Sequence, residues 1–324
     1  MNMHTPLVSV IIPNYNYAQY LHARIGTVLN QTFQDFELIL LDDASTDHSA
    51  DILRSYGNNP HTTHLVINTT NTGSPFAQWF KGIALAQGQY IWIAEADDLA
   101  EPNFLQTCVN LMQRHPQAAL CHTGSYLIDS AGQRQPRDPN HWGHRSRKPY
   151  ACLDGQAYAS HNLYWKNYII NASAVLFSRQ CAMSLNPSHY TGMRYCADWL
   201  FWFHMSLRGQ VIEVHTCLNH FRQHPHKATT HSRTLGDGIR EDAQIVALME
   251  QQLPPMPPYK KRLRRGLLYR KVRRQQLPTH IRQQLFEYLA QTLGATPADY
   301  RLERRNQWLR LFLPHLITAK RERL

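Results

Sequence analysis

Apolar positions follow two rhythms along the first hundred residues. Leu7-Val8-Ser9-Val10-Ile11-Ile12 is a β-branched run that meets Pro13, and Tyr20 to Gln31 then sets Leu21, Ile25, Val28 and Leu29 on one helical face. Phe36-Glu37-Leu38-Ile39-Leu40-Leu41 repeats the strand pattern, after which Ser45 to Asp47 offer caps for a helix through Tyr56. His64 to Asn68 predicts a further strand, Phe76 to Ala86 a helix closed by Gly88, and Tyr90 to Ala94 a short buried strand. Strands and helices alternating at this spacing predict a mostly parallel sheet with right-handed crossovers. In such a sheet ligands gather beyond the carboxyl ends of the strands.

Two of these strands run directly into acids. Tyr90 to Ala94 is followed by Glu95, Asp97 and Asp98, three carboxylates within four positions, and Phe36 to Leu41 by Asp42 and Asp43. Carboxylates this close raise one another's pKa unless a cation or a ligand's donors share the site, and a divalent metal is the simplest resolution. The loop Pro13-Asn14-Tyr15-Asn16 should reach the same rim. There Tyr15 can stack on a planar base, Asp43 can accept from an imide N–H or a ribose hydroxyl, and Asp97 and Asp98 can reach ribose and a metal bound to phosphates. Neither G-x-x-x-x-G-K-[ST] nor G-x-G-x-x-G occurs, so phosphate charge falls mainly to metal. The alternative for Asp42 and Asp43 is capping of the following helix.

Composition changes this picture in two places. The chain has 324 residues, 43% of them hydrophobic, enough for one large α/β domain with an appendage. Six cysteines without C-x-x-C spacing imply reduced thiols and a cytoplasmic setting. Met1 to Pro6 lacks the pattern of a signal peptide, and no apolar run approaches the ~20 residues of a membrane span. The formal charge of +11 is uneven: Tyr259 to Leu324 holds 17 Lys and Arg against four acids, whereas the rest of the chain holds 17 against 19. Leu253-Pro254-Pro255-Met256-Pro257-Pro258 separates the two parts. The expected organisation is an α/β domain over 1–252, a linker over 253–258 and a basic helical module over 259–324. Lys260 to Arg274 and Arg301 to Ile317 mix Arg with aliphatic and aromatic residues, as in Trp308-Leu309-Arg310-Leu311-Phe312-Leu313, a pattern that suits helices lying on an anionic membrane surface. The competing readings are a solvated helical face and an oligomer contact. Nucleic acid is not expected, since no matching module or aromatic-basic platform occurs.

Several ordered motifs between Pro6 and Lys227 together resemble one family. Val10-Ile11-Ile12-Pro13-Asn14-Tyr15-Asn16, Leu41-Asp42-Asp43-Ala44-Ser45-Thr46-Asp47, Asn71-Thr72-Gly73-Ser74-Pro75-Phe76 with Gln78-Trp79 and Lys81-Gly82, and Ile91-Trp92-Ile93-Ala94-Glu95-Ala96-Asp97-Asp98 are similar to the inverting family-two glycosyltransferases. The resemblance implies the GT-A fold, a Rossmann-like α/β sheet with flanking helices. It also implies a nucleoside-diphosphate sugar donor, UDP-linked, held with Mn²⁺ or Mg²⁺. Donor contacts would come from Pro13, Asn14, Tyr15, Asn16, Asp42, Asp43, Asn71, Gly73, Lys81 and Asp97, and metal contacts from Asp98 with Asp97 and His224. Glu95 departs from the Asp that many members have there.

Asn171 to Phe177 looks like the family's strand near the sugar, and His220-Phe221-Arg222-Gln223-His224 like a later segment that brings Arg222 and His224 near the diphosphate. Cys196-Ala197-Asp198-Trp199-Leu200-Phe201-Trp202 resembles the catalytic-base motif, with Ala197 in place of a common acidic neighbour, so Asp198 would be the general base. The competing reading of Asp198 is a helix N-cap, with Glu213 or Asp154 as the base. The acceptor implied is a hydroxyl of a glycan or lipid-linked saccharide in bacterial surface-polysaccharide assembly, handled in the cytoplasm or on the inner face of its membrane. A nucleotidyltransferase and a catalytically silent sugar-nucleotide or glycan-binding module are the rival readings, and donor-dependent release of nucleoside diphosphate separates all three.

Overall fold

A computed structural model describes residues 5–140, 148–224 and 236–312. The chain divides into two compact units. The first comprises Met1–Gly155, Tyr168–Gly192 and His204–His224, and the second Gln156–Asn167, Met193–Phe203 and Pro225–Leu324.

The first unit is built on a nine-stranded sheet: β1 (Val8–Asn14), β2 (Phe36–Asp42), β3 (Thr62–Ile67), β4 (Tyr90–Ile93), β5 (Leu99–Ala100), β6 (Ala118–Ile128), β7 (Tyr150–Leu153), β8 (Val175–Ser178) and β9 (Gln210–Arg222). Their order is β3-β2-β1-β4-β8-β6-β9-β5, with β7 on β9. Helices α1 (Ala18–Leu29), α2 (Ser49–Ser55), α3 (Pro75–Leu85) and α4 (Phe104–Arg114) follow the early strands and cover the sheet. Every residue of β1, β2 and β4 is buried, as expected of central strands covered on both faces. Gly82 of α3 permits close packing on β1, because a Cβ there would lie 2.5 Å from Ile11 Cγ2.

The ladders β1/β2, β1/β4, β2/β3 and β6/β9 are parallel, β5 and β7 run against β9, and β8 runs against its neighbours β4 and β6. That reversal matters for the rim. Because Trp92 pairs with Leu176 antiparallel, the chain entering β8 lies beside the chain leaving β4. Asn14, Asp42, Glu95, Ser173 and Arg222 therefore come to one end of the sheet. Pro13 does not terminate its strand as the sequence pattern predicts. The ladder of β1 with β4 stops at Ile11, so Pro13 pairs only with β2, at Leu41, and its missing N–H costs no bond on the open side.

The second unit contains the start of α5 (Ala197–Ser206) and the helices α6 (Asp237–Gln252), α7 (Pro258–Arg274), α8 (Thr279–Leu293) and α9 (Pro297–Phe312). Pro258 of the proline-rich stretch already opens α7, and the two compact units do not divide at the prolines: α6, ahead of them, belongs with the helices after them. Burial explains the grouping. Asp242 of α6 accepts from the fully buried Arg264 of α7 and from Lys271, and Gly266 of α7 lies so near α9 that a Cβ would be 2.3 Å from Asp299 O. Arg262 pairs with Asp299 at 2.7 Å and Arg270 with Glu303 at 3.2 Å, so part of the basic excess is spent inside the helical packing. On α9, by contrast, Arg301, Arg304, Arg305, Trp308, Leu311 and Phe312 form one exposed stripe. Leu313 to Ile317 lie outside the described residues. No helix among the described residues is long and apolar enough to cross a membrane.

Candidate functional site

The turn after β2 is a hydrogen-bonded scaffold. Asp42 Oδ1 accepts from Asn14 Nδ2 at 2.8 Å and Ser45 Oγ at 2.6 Å, and its Oδ2 from Ser45 N at 2.8 Å. Asp43 accepts from Asn68 Nδ2 (2.7 Å), Gln78 Nε2 (2.8 Å), Thr72 N (3.1 Å) and Thr72 Oγ1 (2.7 Å). Asn71 Nδ2 donates to the Asp43 carbonyl and its Oδ1 receives Gly73 N, which sets Gly73 at φ +70°. Lys81 donates to Asn68 Oδ1 and so joins the same network. Asn16, at φ +56°, receives Thr46 N on Oδ1. Pro13 is buried and Tyr15 stands 45% exposed, open to a stacking partner. The residues expected at a donor pocket are thus brought together, but neither Asp42 nor Asp43 caps α2. That helix follows His48 without a side-chain cap, and Asp47 receives the N–H of Ser49 at 2.9 Å.

The turn after β4 is arranged differently. Asp98 is buried: Oδ2 accepts from Asn171 Nδ2 and Ser173 Oγ, each at 2.8 Å, and Oδ1 from Arg222 N at 2.9 Å. It pins the turn to the approach of β8 and to the end of β9. Burial, then the charge of Asp97, pushes its carboxyl up to about 6, against the pull of the Arg222 N–H, Arg24 and Asn171. Glu95 accepts from Trp79 Nε1 at 2.8 Å, and burial and Asp97 push its carboxyl up to about 8. Asp97 Oδ2 lies 3.1 Å from His224 Nε2, and Tyr17 Oη lies 3.4 Å from that same nitrogen. Burial foremost, then the three acids, raises the Tyr17 hydroxyl well above its ordinary range.

Both oxygens of Asp98 accept from protein donors, whereas Asp97 Oδ2 and His224 Nε2 face each other. Arg222 does not reach out to phosphate: its guanidinium donates to the carbonyls of Asp97, Asp129 and Ser130 and lies 4.4 Å from the Tyr20 ring centroid. Tyr17, Arg24 and Asn219 have no mark in the sequence pattern, and Ser173 only as part of Asn171 to Phe177, since each gains its place through partners far along the chain. Asn219, for instance, donates to Asn171 and Ser125. Arg134 donates to Glu101 at 2.8 Å, and residues 141–147 lie outside the described residues.

In the second unit Asp198 sits within the first turn of α5, so it is not the N-cap. Asn167 Nδ2 donates to its Oδ2 at 3.0 Å, and burial pushes its carboxyl up to about 6. The segment before it is clamped by Glu241 of α6, whose carboxylate receives the backbone N–H groups of Arg194, Tyr195 and Cys196 at 2.8 to 2.9 Å. In the first unit, the alternative acid Glu213 is buried in β9 beside His215 at 3.2 Å and His122 at 3.8 Å.

A family model described as "Glycosyl transferase family 2" matches residues 9–183. The chondroitin synthase of Pasteurella multocida strain Pm70 is 31% identical over 128 residues, covering 39% of this chain and 13% of that protein. The chain spans 35% to 45% of the length of the first curated relatives it matches. Among solved structures, residues 1–349 of Staphylococcus aureus TarS in complex with UDP-GlcNAc align with TM-score 0.63 at 14% identity, over 93% of this chain and 91% of that one. The Pyrobaculum calidifontis mannosyltransferase PcManGT in complex with GDP-Man and Mn²⁺ aligns with TM-score 0.56 at 16% identity, over 96% and 82%. At these identities the alignments establish the fold.

Proposed function

This chain belongs to glycosyl transferase family 2, and we propose that it transfers a sugar, with inversion, from a UDP-linked donor to a hydroxyl of a glycan or lipid-linked acceptor in bacterial surface-polysaccharide assembly. The observation that carries the reading is the rim after β4, where Asp97 and His224 face each other at 3.1 Å beside two further acids. A carboxylate oxygen and an imidazole nitrogen at that separation fit Mn²⁺ or Mg²⁺ as two ligands of an incomplete shell, which donor diphosphate oxygens and water would fill. Among the described residues no group of three or more His, Cys, Asp and Glu side chains is arranged to hold a metal. When bound, the ion would offset the charge of the departing diphosphate.

The chain's own residues supply the rest of the reading. Tyr15 stacks on the base, and the Asp43 network with Asn68, Asn71, Gly73 and Lys81 shapes the wall that meets it. Asp97 and His224 hold the diphosphate end. Asp198 takes the proton of the acceptor hydroxyl, a role that suits a carboxyl raised to about 6 and oriented by Asn167. The UDP-GlcNAc of the TarS complex, the GDP-Man of the PcManGT complex and the likeness to a chondroitin synthase support a nucleotide-sugar donor and a saccharide acceptor. A panel of nucleotide sugars with and without Mn²⁺, read by diphosphate release, tests the reading; no release from any of them on a panel of saccharide acceptors would refute it.

For the stripe on α9 we infer an anionic lipid surface. Arg301, Arg304 and Arg305 carry positive charge on the same exposed face as Trp308, Leu311 and Phe312. Changing those three apolar residues to Ser should weaken binding to phosphatidylglycerol vesicles at low salt, and equal binding would rule the surface out.

A further inference from the structure

Arg24 interrupts the apolar face of α1. It lies among Leu21, Ile25 and Val28, is fully buried, and none of its Nε, Nη1 and Nη2 has a hydrogen-bond partner among the described residues. A guanidinium carries five donors, and burying it unpaired is a cost that packing alone does not return. Its surroundings supply charge without hydrogen bonds. The guanidinium lies 4.7 Å from the centroid of the Trp92 ring. Trp92 Nε1 donates to Ser173 O, and Ser173 Oγ in turn donates to Asp98 and receives Glu95 N. Asp98, Glu95 and Asp97 all favour the charged form of Arg24, and Arg24 favours the ionised forms of Glu95 and Asp98. Burial pushes the guanidinium down only to about 10, so it stays charged at neutral pH.

We propose that Arg24 is the internal counter-charge of the acid rim, a positioning residue that lets Glu95, Asp97 and Asp98 stand together and keeps the site's charge low enough for an anionic diphosphate to enter. The proposal deepens the reading of the rim as a donor site and rests on it. A fixed charge behind the acids acts through protein rather than through water, so salt screens it little. It repels a divalent cation and attracts a diphosphate, which makes the two ligands respond to its removal in opposite directions. An apolar residue of similar length would suit the core better, which separates this role from a structural one.

Arg24→Met and Arg24→Lys in the full chain decide it, measured by thermal melting, by Mn²⁺ binding followed by electron paramagnetic resonance, and by UDP binding in the absence of metal. Arg24→Met should melt at or above the parent temperature, bind Mn²⁺ about tenfold more tightly and bind UDP about tenfold more weakly, while Arg24→Lys stays within about threefold of the parent on both ligands. Equal Mn²⁺ affinity in all three proteins, absence of binding in all three included, overturns the proposal. So does a Met variant that fails to fold, since the side chain would then be holding α1, and so does a Lys variant that matches Met, since charge would then be irrelevant. A parent protein that binds Mn²⁺ but no nucleoside diphosphate would refute the donor-site reading while the Mn²⁺ comparison still decides the role of Arg24.

Discussion

Two strands of the first unit that flank β1, namely β2 and β4, end in acids, and the two turns treat them in opposite ways. After β2, Asp42 and Asp43 are surrounded by hydroxyl, amide and backbone donors, so their charge is absorbed by geometry. After β4, Glu95, Asp97 and Asp98 crowd one another, and Glu95 and Asp98 are pushed up to about 8 and about 6. The first turn can be rigid without a ligand. The second holds surplus negative charge that a cation or a ligand's donors would relieve, which is how a chemical site differs from a scaffold. Asp198 belongs with the second kind, since one side-chain donor and two backbone hydrogen bonds leave burial dominant.

If that distinction is right, the largest effect should come from a raised acid. Asp198→Asn should lower turnover by ~10²–10⁴-fold with donor affinity within a few-fold of the parent, and parental turnover should fall as pH drops through about 6 and the base is protonated. An Asn variant with parental turnover would return Asp198 to the scaffold. Next, Asp43→Ala should cost ~2–4 kcal/mol in chemical unfolding, because several buried donors lose their acceptor at once. Asp97→Ala should leave that unfolding curve nearly in place and weaken Mn²⁺-dependent UDP binding ~10-fold or more, so an exchange of the two phenotypes would erase the contrast.

A smaller effect concerns the pH dependence of stability. The fold raises Glu95 from 4.5 to about 8, so its contribution is fully present below its ordinary value and is lost as pH rises through about 8. Glu95→Gln should therefore flatten the decline in melting temperature across that window, and parallel pH profiles would contradict the burial of its charge. The smallest effect lies in the scaffold turn, where Ala44 is held at φ +59°. Ala44→Gly should raise stability by up to ~1 kcal/mol without altering activity, as removal of a Cβ from a left-handed position does.

The sequence by itself determined the early strands and helices, the acids at the ends of β2 and β4, and the family, because hydrophobic period and short motifs are properties of neighbouring residues. Its boundaries erred by a residue or two, as at Pro13, where the tolerance depends on which neighbour strand is present. The sequence could not assign roles within the motif Glu95-Ala96-Asp97-Asp98. The surroundings of Asp97 and Asp98 come from partners more than seventy residues away: Asn171, Ser173 and Arg222 donate to Asp98, and His224 faces Asp97. Likewise only the tertiary structure joined α6 to the basic helices, clamped the approach to Asp198 with Glu241, and buried Arg24 with no hydrogen-bond partner among the described residues. Hydrogen-bond supply and charge compensation are sums over residues brought together by folding, and no local pattern along the chain encodes them.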